Sequence, residues 1–204
     1  MNTRMSNHEK TMKLTMLAFL TALVIVLQLL CTVIKFGPFS ITLALTPIII
    51  GAAIYGPAVG AFLGFIFSAV VYITGLIGMD GGFILMMMDY SALGTTLLCL
   101  LKGTAAGFAA GICYRALTHA PKTLNAIVTS AVTPVVNTGL FALGMMTIFY
   151  GFLSNNAASG QNPIGMLFLA WIGVNFIVEF VVNIALATVL THVVDYFGKK
   201  YKKA

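Results

Sequence analysis

The sequence predicts an all-α integral membrane protein: a six-helix transmembrane bundle with both termini cytoplasmic. Three observations carry that expectation. Hydrophobic residues form 60% of the chain and charged residues 8%, against about 25% charged in a soluble domain; the mean hydropathy is +1.02. The apolar residues fall into runs close to the roughly 20 residues that a helix needs to cross a bilayer. The Lys and Arg side chains gather at the two ends and in one connector, the charge pattern of a cytoplasmic membrane face.

Span 1 covers about 14–34, between Lys13 and Lys35. A basic start followed by an apolar run has the outline of a secretory signal. This run exceeds the ~7–15 residues of a signal core and no small-residue cleavage pattern ends it, so it reads as a permanent span. Ala18 and Ala22 form a small-xxx-small pair that lets another helix approach closely. The turn Phe36-Gly-Pro-Phe-Ser40 leads to span 2, about 41–55, which is short and holds Pro47. A kink or a partly re-entrant segment is expected there.

After Gly56-Pro57, span 3 covers about 58–76, and Gly56, Gly60 and Gly64 recur at intervals of four. The glycine-rich stretch 75–82 and the run Met86–Met88 predict a flexible loop with room for an interfacial turn, and Asp80 and Asp89 read as solvated loop charges, with gate or lid residues as the alternative. Span 4, about 91–116, repeats the interval of four at Gly103, Gly107 and Gly111. Spans 3 and 4 run in opposite directions, so the likeness reads as shared packing chemistry rather than a repeat. A basic connector with Arg115, His119 and Lys122 precedes span 5, about 124–152, and a polar uncharged one precedes span 6, about 163–194. These spans use nearly the whole chain, so one transmembrane domain is expected over 1–204. Six spans put Arg4, Lys10, Lys13, Arg115, Lys122 and the tail lysines on one side, with Lys35 opposite.

Function is read from polar residues that a bilayer disfavours. In span 6, Asn175, Glu179 and Asn183 are four apart and share one helical stripe. A carboxylate at mid-bilayer costs roughly 2.5–3.5 kcal/mol on the insertion scale, so it faces a partner, a cavity or a substrate. Counting along the helices places Lys102 of span 4, Asn137 of span 5 and Glu179 of span 6 at one depth, with Gln28 of span 1 slightly outward. Two readings stay open. One is a buried Lys102–Glu179 ion pair with asparagines as interhelical glue; the other is a pocket where Lys102, Asn137, Asn175, Glu179 and Gln28 meet a polar small molecule. Trp171, Tyr72 and Tyr150 are either stacking surfaces for a ring or interfacial anchors.

Several classes drop out. Cys31, Cys99 and Cys113 lie in apolar runs without CxxC spacing, which argues against zinc and disulfides and for buried free thiols. The net charge of +6 has no basic patch with interleaved aromatics, so nucleic-acid binding is not expected. No phosphate-binding loop, HExxH or GxSxG occurs, so ATP hydrolysis belongs to other subunits and no cofactor or metal is expected. An ion- or proton-coupled secondary transporter using Lys102 and Glu179 is the alternative to a binding subunit.

The Ala18-x-x-x-Ala22 pair, the block Thr46-Pro-Ile-Ile-Ile-Gly-Ala-Ala-Ile-Tyr-Gly-Pro-Ala-Val-Gly-Ala-Phe-Leu-Gly64 and the run Leu101-Lys-Gly-Thr-Ala-Ala-Gly-Phe-Ala-Ala-Gly111 carry a resemblance. Over essentially its whole length the chain resembles the substrate-binding S components of energy-coupling factor transporters. The resemblance implies a bacterial-type, multi-pass cell-membrane protein that captures a vitamin or related micronutrient from outside. It also implies docking onto a transmembrane coupling protein driven by two cytoplasmic ATPases, with Ala18 and Ala22 meeting the coupling protein. The family site is built by spans 4 to 6 with the loops between spans 1–2 and 3–4, which matches Lys102, Asn137, Asn175 and Glu179 as ligand contacts. The Asn137-Thr138 pair looks most like the pantothenate branch, and a buried Lys102 suits a carboxylate.

Overall fold

The computed structural model describes residues 7–33, 35–36, 39–40, 42–158, 160–187, 189–193 and 196. Arg4 and the tail lysines, on which part of the expected orientation rests, lie outside the described residues. The chain is helical apart from a minimal hairpin. Helix α1 (Asn7–Val33) is followed by strands β1 (Lys35–Phe36) and β2 (Phe39–Ser40), paired antiparallel. Then come α2 (Leu45–Tyr55), α3 (Pro57–Leu76), α4 (Phe83–Tyr90), α5 (Ala92–Ala116), α6 (Lys122–Thr147) and α7 (Tyr150–Asn156). Helix α8 (Pro163–Met166) passes through a π-helical segment (Leu167–Ile172) into α9 (Gly173–Ala185).

Among the described residues, five helices are long and apolar enough to cross a membrane: Lys10–Thr32, Pro57–Leu76, Ala92–Ala116, Lys122–Thr147 and Asn175–Val193. They show the reversed surface expected of lipid-facing helices. Leu93, Leu101, Leu143 and Ile177 stand exposed, while Thr95, Thr129, Asn137 and Glu179 are buried. The second stretch read as a span is α2, with 11 residues, about 16 Å of rise. Pro47 sits in its first turn, where a ring without an N–H is tolerated, so it starts the helix and does not kink it. Within the stretch 124–152, α6 ends where the amides of Ile148 and Phe149 both donate to the Gly144 carbonyl (2.9 and 3.1 Å), and α7 begins after that turn.

The sequence expectation of a flexible loop over 75–89 is corrected. A turn ends at Gly82 and α4 follows at once. Asp80 accepts hydrogen bonds from the amides of Gly82 (2.9 Å) and Ile84 (2.7 Å), satisfying donors that the first turn of a helix leaves free. Gly78, Gly81 and Gly82 take positive φ of 75°, 86° and 84°, so the glycines shape a defined turn. Ile84 and Met87 then bury one face of α4.

The two glycine series meet face to face. A Cβ on Gly60 would collide with the carbonyl of Gly107, and one on Gly64 with that of Gly103; the reverse additions strike Gly60 O and the Ser68 hydroxyl. Antiparallel α3 and α5 therefore touch backbone to backbone, the close approach that small-residue intervals permit in membranes. Two apolar clusters flank this seam. One gathers Leu20, Val24, Leu45, Ile48, Leu63 and Phe67 with Leu190. The other gathers Met87, Leu98, Met145, Phe149 and Leu167.

Gly64→Ala is expected to lose about 1–3 kcal/mol, because its methyl meets backbone that cannot yield. Gly139→Ala has nothing within 4 Å of its Cβ and is expected to be neutral or stabilising by up to about 1 kcal/mol. Thermal unfolding of the two variants in detergent checks both signs.

Candidate functional site

A cavity of about 110 Å³ has Phe67 of the first apolar cluster on one wall and Met87 and Ile172 of the second on another. Gln28, Lys102, Asn137, Asn175 and Glu179 all line it. They arrive from four helices: α1, α5, α6 and α9. Thr42, just ahead of α2, also lines it.

The polar atoms there are conspicuously unsatisfied. Gln28 Oε1, Asn137 Oδ1, Asn175 Oδ1 and Glu179 Oε1 are buried and make no hydrogen bond within the protein. Gln28, Asn137 and Glu179 are only 3%, 6% and 2% exposed. An unpaired buried polar group costs about 1–3 kcal/mol, more when charged, so four around one cavity are not packing glue.

Lys102 does not relieve them. Its Nζ lies 5.1 Å from the centroid of the Phe141 ring, over the face, where the ring quadrupole attracts a cation. Among the described residues no direct ion pair joins Lys102 to Glu179. The two opposite charges share a cavity without closing on each other.

Much of the remaining wall is aromatic. Phe83 is its hub, edge-on to Trp171 (centroids 5.3 Å, 89°), with Phe152 at 6.2 Å and Phe141 at 6.3 Å. Phe83 rides on α4, so the Asp80 turn sets one side of the cavity. Asp80 itself borders the cavity and is only partly exposed, which corrects its reading as a solvated charge; Asp89 is exposed. Of the three aromatic candidates only Trp171 is among the lining residues. The Tyr72 hydroxyl pairs with Thr96 (2.9 Å) and reaches Met88 Sδ (3.7 Å), and Tyr150 stands 47% exposed.

The stripe on α9 divides by role. Asn175 and Glu179 face the cavity, whereas Asn183 is satisfied: its amide donates to the Glu179 carbonyl (2.8 Å) and its Oδ1 accepts from Thr46 (3.4 Å). Sequence reasoning missed Thr42, Phe83, Cys99, Phe141 and Phe176. Cys99 and Phe141 were findable, three and four residues from Lys102 and Asn137 on their helices. Thr42 and Phe83 carry no such signal, since their placement depends on how the hairpin and α4 fold over the bundle. Away from the cavity, Ala18 and Ala22 are exposed on α1.

The family described as "ECF transporter, substrate-specific component" matches residues 12–194. The chain belongs to this family. It is thus a substrate-specific subunit of an energy-coupling factor transporter, a membrane-embedded transport component and not an enzyme. Among solved structures, ThiT from Listeria monocytogenes is similar in fold, with a TM-score of 0.58 at 17% identity over 91% of this chain and 98% of that one. No curated protein matches in sequence.

Trp171 is the single tryptophan of the chain, so intrinsic fluorescence reports on the cavity wall. Phe83→Ala is expected to red-shift its emission and raise its quenching by acrylamide; an unchanged spectrum would contradict the edge-on packing.

Proposed function

We propose that this S component captures a vitamin-sized polar molecule from outside the cell in the cavity bounded by Gln28, Lys102, Asn137, Asn175 and Glu179. The observation that carries the reading is the set of buried oxygens without protein partners, gathered around the same space as an unpaired lysine. A ligand with hydroxyl or N–H donors satisfies Glu179 and the carboxamides, and a carboxylate on it meets Lys102. Pantothenate has both kinds of group, and Thr138 beside Asn137 also borders the cavity. It is the candidate substrate.

Membership of the family supports a wider arrangement. The chain acts as one transmembrane domain of six spans with α2 as the short one, both ends cytoplasmic, in a bacterial-type cell membrane. Transport is driven by two cytoplasmic ATPases through a transmembrane coupling protein. The exposed Ala18 and Ala22 on α1 suit a closely packed helix of that partner.

Native mass spectrometry of the purified protein, with titration of Trp171 fluorescence by pantothenate and other water-soluble vitamins, tests the capture reading. A charge-assisted hydrogen bond contributes about 1.5–3 kcal/mol, so Lys102→Ala and Glu179→Ala are each expected to weaken binding roughly tenfold to hundredfold. A protein that stays ligand-free across the panel would sink the proposal. Docking is tested separately: Ala22→Leu is expected to abolish co-purification with the coupling protein while leaving vitamin binding unchanged.

A further inference from the structure

The segment between α8 and α9 is wound as a π-helix for six residues, Leu167–Ile172. Such single wide turns are rare and recur at functional sites. Leu167 and Ile172 are both buried, while Leu169 between them is 82% exposed. In an α-helix, residues five apart point about 140° away from each other; an i→i+5 turn returns them to nearly one face. The wide turn therefore lets this helix keep Leu167 inside without turning Ile172 outward.

Its consequence for the cavity is specific. Ile172, which on an α-helix would face about 140° away from the buried Leu167, lines the cavity beside Trp171. Trp171 reaches Phe83 edge-on and Ile172 packs in the second apolar cluster. Asn175, Phe176 and Glu179 continue the same wall. The residue that admits this winding is Gly173. The carbonyl of Phe168, five residues back, presses against it, and a Cβ there would stand 2.7 Å from that oxygen. Any side chain at 173 pushes the carbonyl away and with it the wide turn.

We propose that Gly173 is a positioning residue for ligand binding: it admits the π-helical turn that keeps Leu167 in the apolar core while Ile172, beside Trp171, faces the cavity. This rests on the reading of the cavity as the ligand site. The turn is then a requirement of the site rather than an irregularity on the lipid-facing side of the helix.

The test compares full-length wild type, Gly173→Ala, Leu169→Ala and a chain lacking Leu169, each in detergent. Trp171 emission and acrylamide quenching are read without additive, and then pantothenate and a panel of water-soluble vitamins are titrated. Leu169→Ala alters only an exposed side chain and is expected to match wild type. Gly173→Ala is expected to shift the emission and weaken the vitamin that wild type binds by at least tenfold. If Gly173→Ala does not purify as a folded protein, the deletion carries the test, because one residue fewer lets the segment close as an α-helix. Wild-type affinity and emission in Gly173→Ala, or in the deletion where it stands in, would overturn the proposal. So would an equal loss of binding in Leu169→Ala. If no vitamin binds wild type, the site reading fails and this inference falls with it.

Discussion

The contact on which the rest of the structure depends is the backbone seam between α3 and α5. Gly60 on Gly107 and Gly64 on Gly103 bring two helices together with no side chains between them. In a bilayer there is no hydrophobic gain from helix association, so packing at this distance is what holds the pair. The seam also sets the site. Lys102 is next to Gly103, and Phe67 is three residues beyond Gly64, so the glycines that lock the seam also hold these two side chains at the cavity wall.

Around that seam the molecule separates apolar consolidation from polar function. The two apolar clusters close the bundle on either side, and Asn125 and Asn183 find their protein partners outside the cavity. Asn125 closes the end of α5 by donating to the carbonyls of Tyr114 (2.9 Å) and Leu117 (3.1 Å), and Asn183 binds the Glu179 carbonyl. The atoms left over are concentrated where Gln28, Asn137, Asn175 and Glu179 converge. Buried polar groups in native proteins are nearly always paired, so the contrast between Asn183 and Asn175, eight residues apart on one helix, separates a structural amide from one available to a ligand.

Much of this was legible in the residues because a bilayer makes polar atoms expensive at mid-depth. Counting along helices grouped Lys102, Asn137 and Glu179, which line one cavity, and the glycine intervals marked the faces of α3 and α5 that meet. What failed was local. The glycines before α4 read as flexibility, whereas Asp80 ties that turn into a helix start. Charge and depth alone left a Lys102–Glu179 pair and an open pocket as alternatives, because they cannot register that Phe141 offers the ammonium a ring face.

The sequence by itself determined the class of protein and its apolar helices, because these follow from composition and spacing along single helices, and its motifs carried the family. Only the tertiary structure decided that the two glycine series face each other and that Asn183 is spoken for. It alone brought Thr42 and Phe83 into the cavity wall. Those outcomes depend on rotation and approach between elements distant in sequence, and no local period encodes them. The wide turn before Gly173 belongs to both: a glycine permits it, and the burial of Leu167 together with Ile172 selects it.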